Sequence, residues 1–324
     1  MQFSLSELED ALALVQGQIG GPTPQHHWPQ LSAATGAEVW VKHENHGPTG
    51  AFKARGAATF IAWLTRAHPG SPGIITATRG NHGQGQARSA TKAGLRAVVY
   101  VPHGNSPEKN AAMRAFGADL REFGEDFDTA REEAMRLADT EGLFPVPPFH
   151  RELVRGVATY ALEFFRATPP LDAVYVPIGC GSGICGTIAA RDALGLSTEV
   201  VGVVASEAAG AKLSVEAGRL VPTERARTFA DGMAVRMPVQ EAFDIYRRSA
   251  SRIVAVSEDE IASAVRLLFV ATHNVAEGAG AAALAALCQD REAMRGKRVG
   301  VILTGGNIDS SAFATLLAGR TPSA

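Results

Sequence analysis

The stretch Thr49-Gly50-Ala51-Phe52-Lys53-Ala54-Arg55-Gly56-Ala57 places one lysine in a turn of small residues. A strand is predicted just before it, over residues 38–42, and a helix just after it, over residues 54–64. Lys53 would then stand near a helix N-terminus, where the positive potential disfavours a second cation and lowers the pKa of the amine. A neutral amine can form a Schiff base. The alternative is an ordinary solvated surface lysine, and the rest of the sequence must distinguish the two.

The composition bounds the class of protein. The chain has 324 residues, of which 46% are hydrophobic and 20% charged, and its formal net charge is −2. A chain without a strong basic field does not favour nucleic acid or an anionic membrane, so we expect a small-molecule ligand. The three cysteines, Cys180, Cys185 and Cys288, lack zinc-ligand spacing and indicate a reducing compartment.

The N-terminal segment predicts a helix and no export signal. Ser4 and Glu7 form a capping box, and the segment is acidic rather than basic and apolar. The most apolar stretch, residues 278–288, is shorter than the ~20 residues that a membrane-spanning helix needs. We therefore expect a cytoplasmic protein that does not bind membranes.

Short apolar segments alternate with helical patterns along the chain. Strands are predicted over residues 73–77, 97–101, 120–123, 173–176, 200–204, 252–256 and 298–303, and helices over residues 82–93, 107–116, 127–141, 153–166 and 184–194. A second capping box, Ser257 with Glu260, opens a helix toward Thr272. Strands separated by helices of this length build parallel sheets with right-handed crossovers. Residues 223–238 lack clear periodicity.

The proline-rich segment 144–148 divides this pattern. The sequence predicts an α/β protein with two doubly wound lobes and parallel-type sheets. Residues 1–44 and 145–324 would form the large lobe, with residues 45–144 inserted as a smaller one. Ligands of such sheets bind at the carboxyl ends of the strands, so we expect the site in the cleft between the lobes.

The glycine loop, residues 178–186, follows the strand predicted over residues 173–176 and leads into a helix. Glycines and small residues there let backbone N–H groups converge on an anion, and the helix N-terminus adds positive potential. The loop therefore favours a phosphate site. Residues 181–186 also match G-x-G-x-x-G, which leaves a dinucleotide site or a tight structural turn as alternatives.

Two further clusters of small and polar residues end strands. The first cluster is residues 76–84. Its Thr78 hydroxyl and backbone N–H groups could bind an amino-acid carboxylate, and its Asn81 amide could donate to a phenolate oxygen. Asn81 could equally be an N-cap, and His82 could simply pack. The second cluster, Thr304-Gly305-Gly306-Asn307, offers the hydroxyl of Thr304. An amine, a phosphate cradle, a carboxylate site and a hydroxyl together are what pyridoxal phosphate chemistry requires.

The chain resembles the serine/threonine dehydratase-like family of pyridoxal-phosphate enzymes, which has the fold of the tryptophan synthase β-subunit (fold type II). The resemblance covers nearly the whole chain and rests on an ordered set of motifs: Lys42-x-Glu44, TGAFKARGA (49–57), RGNHGQG (79–85), GCGSG (179–183), Ala230-Asp231-Gly232, Glu277-Gly278-Ala279-Gly280 and TGGN (304–307).

This resemblance implies roles for the residues of four of these motifs. Lys53 would carry the cofactor as an internal aldimine and shuttle the Cα proton. Phe52 would pack near the cofactor ring, Asn81 would bond its phenolic oxygen, and Thr304 would face its pyridine nitrogen. The phosphate would be held by Gly179, Cys180, Gly181, Ser182 and Gly183. The substrate would contact Thr78, Arg79, Gly80, Asn81 and His82.

Departures from the family pattern are also informative. Arg79 occupies the place where racemases of the family have a serine that serves the opposite face of Cα, so an efficient racemase is not expected. Arg79 could meet an acidic β-substituent or form a salt bridge between the lobes. Glu207 and Ala211 match two positions of the family's cation site, but the third is Leu213, so we expect no essential metal. The sequence ends soon after the last motif, so we expect no appended regulatory domain.

The function implied is a dehydratase (ammonia-lyase) that converts a β-hydroxy amino acid to a 2-oxo acid and ammonia. The substrate would be of the threonine, serine, hydroxyaspartate or 3-arylserine type. Two alternatives remain, a β-replacement synthase of the cysteine synthase type and a nicotinamide-dependent dehydrogenase using the motif at Gly181. Relatives in the family are commonly dimers, so a homodimer is expected.

Overall fold

A computed structural model describes residues 1–323 of the chain as an α/β protein with two sheets. Within these residues the strands are β1 (Gln25–His27), β2 (Glu38–His43), β3 (Gly73–Ala77), β4 (Arg96–Val101), β5 (Asp119–Glu122), β6 (Phe144–Pro145), β7 (Ala173–Pro177), β8 (Glu199–Ala205), β9 (Arg252–Val256) and β10 (Arg298–Leu303).

The helices pack around these sheets. In chain order they are α1 (Leu5–Ile19), α2 (Pro29–Thr35), α3 (Lys53–Ala67), α4 (Asn81–Lys92), α5 (Pro107–Ala115), α6 (Phe127–Glu141), α7 (Arg151–Ala167), α8 (Ser182–Ala193), α9 (Gly210–Ala217), α10 (Gln240–Ser249), α11 (Glu258–Thr272), α12 (Gly278–Gln289) and α13 (Ser310–Leu317). Over the described part of the chain, none combines the length and apolarity needed to cross a membrane.

The larger sheet has six strands in the order β1-β2-β10-β7-β8-β9, and the smaller one has four in the order β5-β4-β3-β6. All pairs are parallel except β1 with β2, which is an antiparallel edge pair that the sequence analysis did not predict. Strands β7 and β10 are almost wholly buried, as expected of parallel strands covered by helices on both faces. The α/β fold with parallel sheets is confirmed, and the lobe boundaries at residues 44 and 145 stay a prediction.

Local signals explain where the best-predicted helices begin. Ser4 accepts a hydrogen bond from the backbone N–H of Glu7, whose carboxylate accepts one from the Ser4 N–H at 2.8 Å. The same reciprocal box joins Ser257 and Glu260 at the start of α11. These contacts satisfy backbone donors that a helix N-terminus otherwise leaves free. In residues 223–238, where no periodicity was found, the regular structure is one 3₁₀ turn, Asp231–Met233.

Candidate active site

Lys53 is the first residue of α3, and the end of β10 holds it in place. The backbone N–H of Phe52 donates to the carbonyl oxygen of Thr304 at 3.0 Å, which ties the turn before α3 to the strand end. The Lys53 amine donates to the Ser182 hydroxyl at 3.2 Å and lies 4.5 Å from the centroid of the Phe52 ring. The structure thus brings the lysine, the glycine loop and Thr304 together, although they are far apart in sequence.

The environment of Lys53 favours the neutral amine. Burial lowers the pKa of Lys53, while the nearby Cys180 and Glu277 oppose that shift. The direction agrees with the sequence analysis, which attributed it to the helix N-terminus. Removal of the amine from water is the main cause, because a buried ammonium loses its hydration.

The glycine loop after β7 forms a cradle of free backbone donors. Gly181 caps α8 with φ 98°, a left-handed conformation that glycine adopts readily. A Cβ on Gly179 would overlap the carbonyl oxygen of Gly232, so this close approach also requires glycine. Within residues 1–323, the N–H groups of residues 179–184 donate to no backbone acceptor. Convergent N–H groups at a helix N-terminus bind an anion such as a phosphate.

A second set of free donors begins α4. The helix starts at Asn81 and is capped by Gly80, so Asn81 is not its N-cap. The Thr78 hydroxyl accepts a hydrogen bond from the Gly80 N–H at 3.1 Å and thereby shapes the loop. The N–H groups of residues 81–83 find no backbone acceptor in the part of the chain that the structure describes. This helix start is suited to a carboxylate.

The hydroxyl of Thr304 completes the set. Thr304 is 4% exposed, and within residues 1–323 its hydroxyl makes no hydrogen bond, yet it is not among the fully enclosed side-chain atoms that lack a partner. The hydroxyl therefore keeps some accessible surface and is available to a ligand atom such as a ring nitrogen. An amine, an anion cradle, a carboxylate site and a free hydroxyl fit pyridoxal phosphate together with an amino acid.

Comparison with known proteins agrees with this geometry. Residues 17–305 match the family model described as pyridoxal-phosphate dependent enzyme. The chain belongs to this family. Cofactor dependence therefore follows from the whole sequence as well as from the site, and the dinucleotide interpretation of residues 181–186 has no support.

Similar proteins narrow the placement within the family. The chain is 35% identical over 280 residues to L-threonine ammonia-lyase of Thermotoga maritima, covering 86% of this chain and 69% of the relative. It is 32% identical to L-threo-3-hydroxyaspartate ammonia-lyase of a Pseudomonas species, covering 89% and 91%. Some threonine dehydratase relatives are longer, and the chain spans 56% of their length.

The fold comparison gives the same result. The processed form of threonine deaminase isoform 2 from Solanum lycopersicum superposes with a TM-score of 0.88 at 28% identity, covering 98% of this chain and 94% of that one. The serine/threonine dehydratase-like resemblance is confirmed, and the comparisons show a pyridoxal-phosphate dependent lyase.

Two residues of the predicted substrate loop differ in their surroundings. His82 has a buried Nε2 atom without a partner in residues 1–323, and burial, aided by the Lys53 charge, lowers its pKa to about 3. A neutral imidazole beside Lys53 follows. Arg79 is exposed and forms no ion pair within residues 1–323, so the predicted salt bridge between the lobes is not present there.

The sequence analysis did not assign site roles to Glu277, Lys109 or Asn307. Glu277 is buried and accepts a hydrogen bond from the Asn81 amide at 2.7 Å. Lys109 of α5 forms an ion pair with Asp231, which lies in the 3₁₀ turn Asp231–Met233. The motif Glu277-Gly278-Ala279-Gly280 of the family resemblance was the signal in the sequence that pointed to this residue, but it was given no role.

The predicted loss of the family's cation site concerns α9 and the turn before it. Glu207 lies exposed in the 3₁₀ turn Ser206–Ala208, and Leu213 of α9 is exposed too. Residues 1–323 contain no cluster of three His, Cys, Asp or Glu side chains that could hold a metal ion. That no metal is essential stays a prediction.

Proposed function

We propose that this protein is a pyridoxal-phosphate dependent ammonia-lyase that converts a β-hydroxy amino acid to a 2-oxo acid and ammonia. The observation that carries the proposal is the position of the Lys53 amine. The amine donates to the Ser182 hydroxyl at 3.2 Å within the anion cradle, and the Lys53 backbone packs against α4, where a Cβ on Gly85 would lie 3.0 Å from the Lys53 carbonyl oxygen. The amine therefore lies between the sites for the cofactor phosphate and the substrate carboxylate.

Each residue has a definite task in this reaction. When bound, pyridoxal phosphate supplies the electron sink that stabilises the charge left at Cα. The backbone N–H groups of residues 81–83 hold the substrate carboxylate, and the neutral Lys53 amine removes the Cα proton. The β-hydroxyl leaves as water, and the released unsaturated amine reacts with water to give the 2-oxo acid and ammonia.

The substrate is proposed to be of the threonine, serine, hydroxyaspartate or 3-arylserine type. Two of the similar proteins are described as acting on threonine and on threo-3-hydroxyaspartate. The exposed position of Arg79, where racemases of the family place a serine, supports elimination rather than racemisation. We also propose that the protein is a cytoplasmic homodimer that acts in amino-acid catabolism.

Lys53→Ala tests the proposal, with exposed Lys297→Ala as the matched control. A panel of β-hydroxy amino acids, both diastereomers of each, is assayed for 2-oxo acid and ammonia. Loss of the general base should reduce the rate by at least about 100-fold in Lys53→Ala and leave Lys297→Ala unchanged. If no amino acid of the panel is eliminated while an O-acylserine reacts with sulfide, the protein is a β-replacement synthase instead.

A further inference from the structure

Glu277 is a buried carboxyl group that does not serve its own helix. It occupies the N-cap position of α12 without capping that helix through its side chain. Its carboxylate is seated directly against Gly305, since a Cβ there would lie 2.5 Å from Oε1 of Glu277. From this position Oε1 accepts a hydrogen bond from Nδ2 of Asn81 at 2.7 Å, across 196 positions of sequence.

The other side of the Asn81 amide is fixed as well. Its Oδ1 atom accepts a hydrogen bond from Nδ2 of Asn307 at 2.7 Å, and Nδ2 of Asn307 also donates to the carbonyl oxygen of Thr49 at 2.7 Å. Asn307 is itself confined by Gly50, where a Cβ would lie 2.6 Å from its Oδ1 atom. The chain of contacts runs from the turn before Lys53 to Glu277.

With Glu277 acting as the acceptor, these contacts favour one orientation of the Asn81 amide. A rotated amide would direct its NH₂ group at the NH₂ group of Asn307 and its oxygen at the Glu277 carboxylate, which loses two hydrogen bonds. In the observed orientation one N–H of Asn81 is bound to Glu277, and the second remains for a ligand. Pyridoxal phosphate carries a phenolic oxygen that needs a donor of this kind.

Among residues 1–323, no cation forms an ion pair with this carboxyl group that would explain its burial. Burial raises the pKa of Glu277 to about 7, and the charges of Lys109 and Lys53 and the Asn81 hydrogen bond only partly offset it, while Asp231 adds to it. Lys109 forms its ion pair with Asp231 instead. A buried carboxylate paired only with an amide costs stability, so its contribution must be sought in the site.

We propose that Glu277 is a positioning residue that fixes the Asn81 amide with its free N–H available to the phenolic oxygen of the cofactor. This inference rests on the proposed function, because that function gives Asn81 its role as cofactor ligand. Asn307 acts as the second clamp. Glu277 itself contacts no reacting atom in this scheme.

A double-mutant cycle on cofactor affinity tests the proposal. The cofactor-free protein is titrated with pyridoxal phosphate and its absorbance is followed, for wild type, Glu277→Leu, Glu277→Gln, Asn81→Ala and the double variant Glu277→Leu/Asn81→Ala. Glu277→Leu should weaken binding about tenfold, which is the magnitude of one hydrogen bond. Glu277→Gln keeps an acceptor oxygen and should stay within about threefold of wild type.

The decisive result is the coupling. If Glu277 acts through Asn81, Glu277→Leu should have no further effect in the Asn81→Ala background. Additive losses, or equal losses in Glu277→Leu and Glu277→Gln, would overturn the inference, as would unchanged affinity in Glu277→Leu. Asn307→Ala should reproduce the weakening if Glu277→Leu does not fold. A wild-type protein that binds the cofactor but eliminates no β-hydroxy amino acid defeats the proposed function and leaves this test intact.

Discussion

Near the Lys53 turn, one pair of buried carboxylates is bound to cations, and a third buried carboxylate is not. In the first, Arg55 of α3 donates to Glu44 at 2.7 Å and to Glu163 at 2.8 Å, and Lys42 donates to Glu163 at 2.7 Å. In the second, Glu277 has an amide as its hydrogen-bond partner. The first group, which we call the Arg55 network, matches each charge with an opposite one, and the second does not.

The pKa values express the same difference. Burial alone would raise the pKa of Glu163, but Arg55 and Lys42 hold it below its ordinary value. Burial raises the pKa of Glu277 to about 7, and the charges of Lys109 and Lys53 only partly offset this shift. A buried carboxylate whose charge is matched by hydrogen-bonded cations can serve a structural role. A buried carboxylate without such a cation keeps its desolvation cost, and groups of this kind are typical of functional sites. The Arg55 network therefore supports α3 structurally, whereas Glu277 belongs to the candidate site at the start of α3.

The strongest test of the scaffold is Arg55→Met. This change leaves Glu44 and Glu163 buried without their main partner, so we expect the free energy of unfolding to fall by about 3–5 kcal/mol. Urea denaturation of the cofactor-free protein measures it. Arg136→Met is the control, because Arg136 pairs with Glu133 on an exposed helix face. A loss as small as that of the control would mean that the network is not a scaffold.

The second test asks whether Glu277 costs stability. Its pKa rises from 4.5 to about 7 on folding, so the folded state holds the proton more tightly. The contribution of the Glu277 proton to the free energy of unfolding is therefore fully present below pH 4.5. It is lost as the pH rises through 7, which lowers the free energy of unfolding by up to about 3 kcal/mol. Glu277→Gln removes this loss, so it should stabilise the cofactor-free protein at pH 8 but hardly at pH 5.

Urea denaturation at both pH values provides the measurement, and exposed Glu216→Gln is the control. A gain that is equal at pH 5 and pH 8 would show that ionisation of Glu277 is not its source. The buried charge of Glu277 would then carry no cost, and Glu277 would not contrast with the ion-paired carboxylates of the Arg55 network.

The sequence predicted helices and strands whose signals lie in contiguous residues, and it missed features that depend on tertiary packing. Apolar runs with polar ends gave β9 and β10 with their observed bounds, and capping boxes gave the starts of α1 and α11. The alanine-rich α12 was not assigned as a helix, because it is buried on all sides and has no polar face to reveal its period. The edge strand β1 is only three residues long, too short for a period to be recognised.

The same division holds within the site. Lys53 and the two loops before α4 and α8 carry their signals in contiguous residues, so the motifs revealed them. The contact of Asn81 with Glu277 joins residues 196 positions apart, and that of Arg55 with Glu163 joins residues 108 apart. Such pairs depend on how helices and strand ends pack, which no local pattern in one sequence encodes.

The smallest test removes one hydroxyl from the Arg55 network. Thr23 donates to Glu44 at 2.5 Å and accepts from Arg55 at 3.0 Å. Thr23→Val keeps the shape and loses both hydrogen bonds, so unfolding should become easier by about 1–2 kcal/mol, and Thr23→Ser, which keeps the hydroxyl, should lose less. If the network is only a scaffold, the affinity for pyridoxal phosphate should not change in either variant. A Thr23→Val protein that loses cofactor affinity while keeping its stability would show that the network takes part in the site, and the contrast with Glu277 would fail.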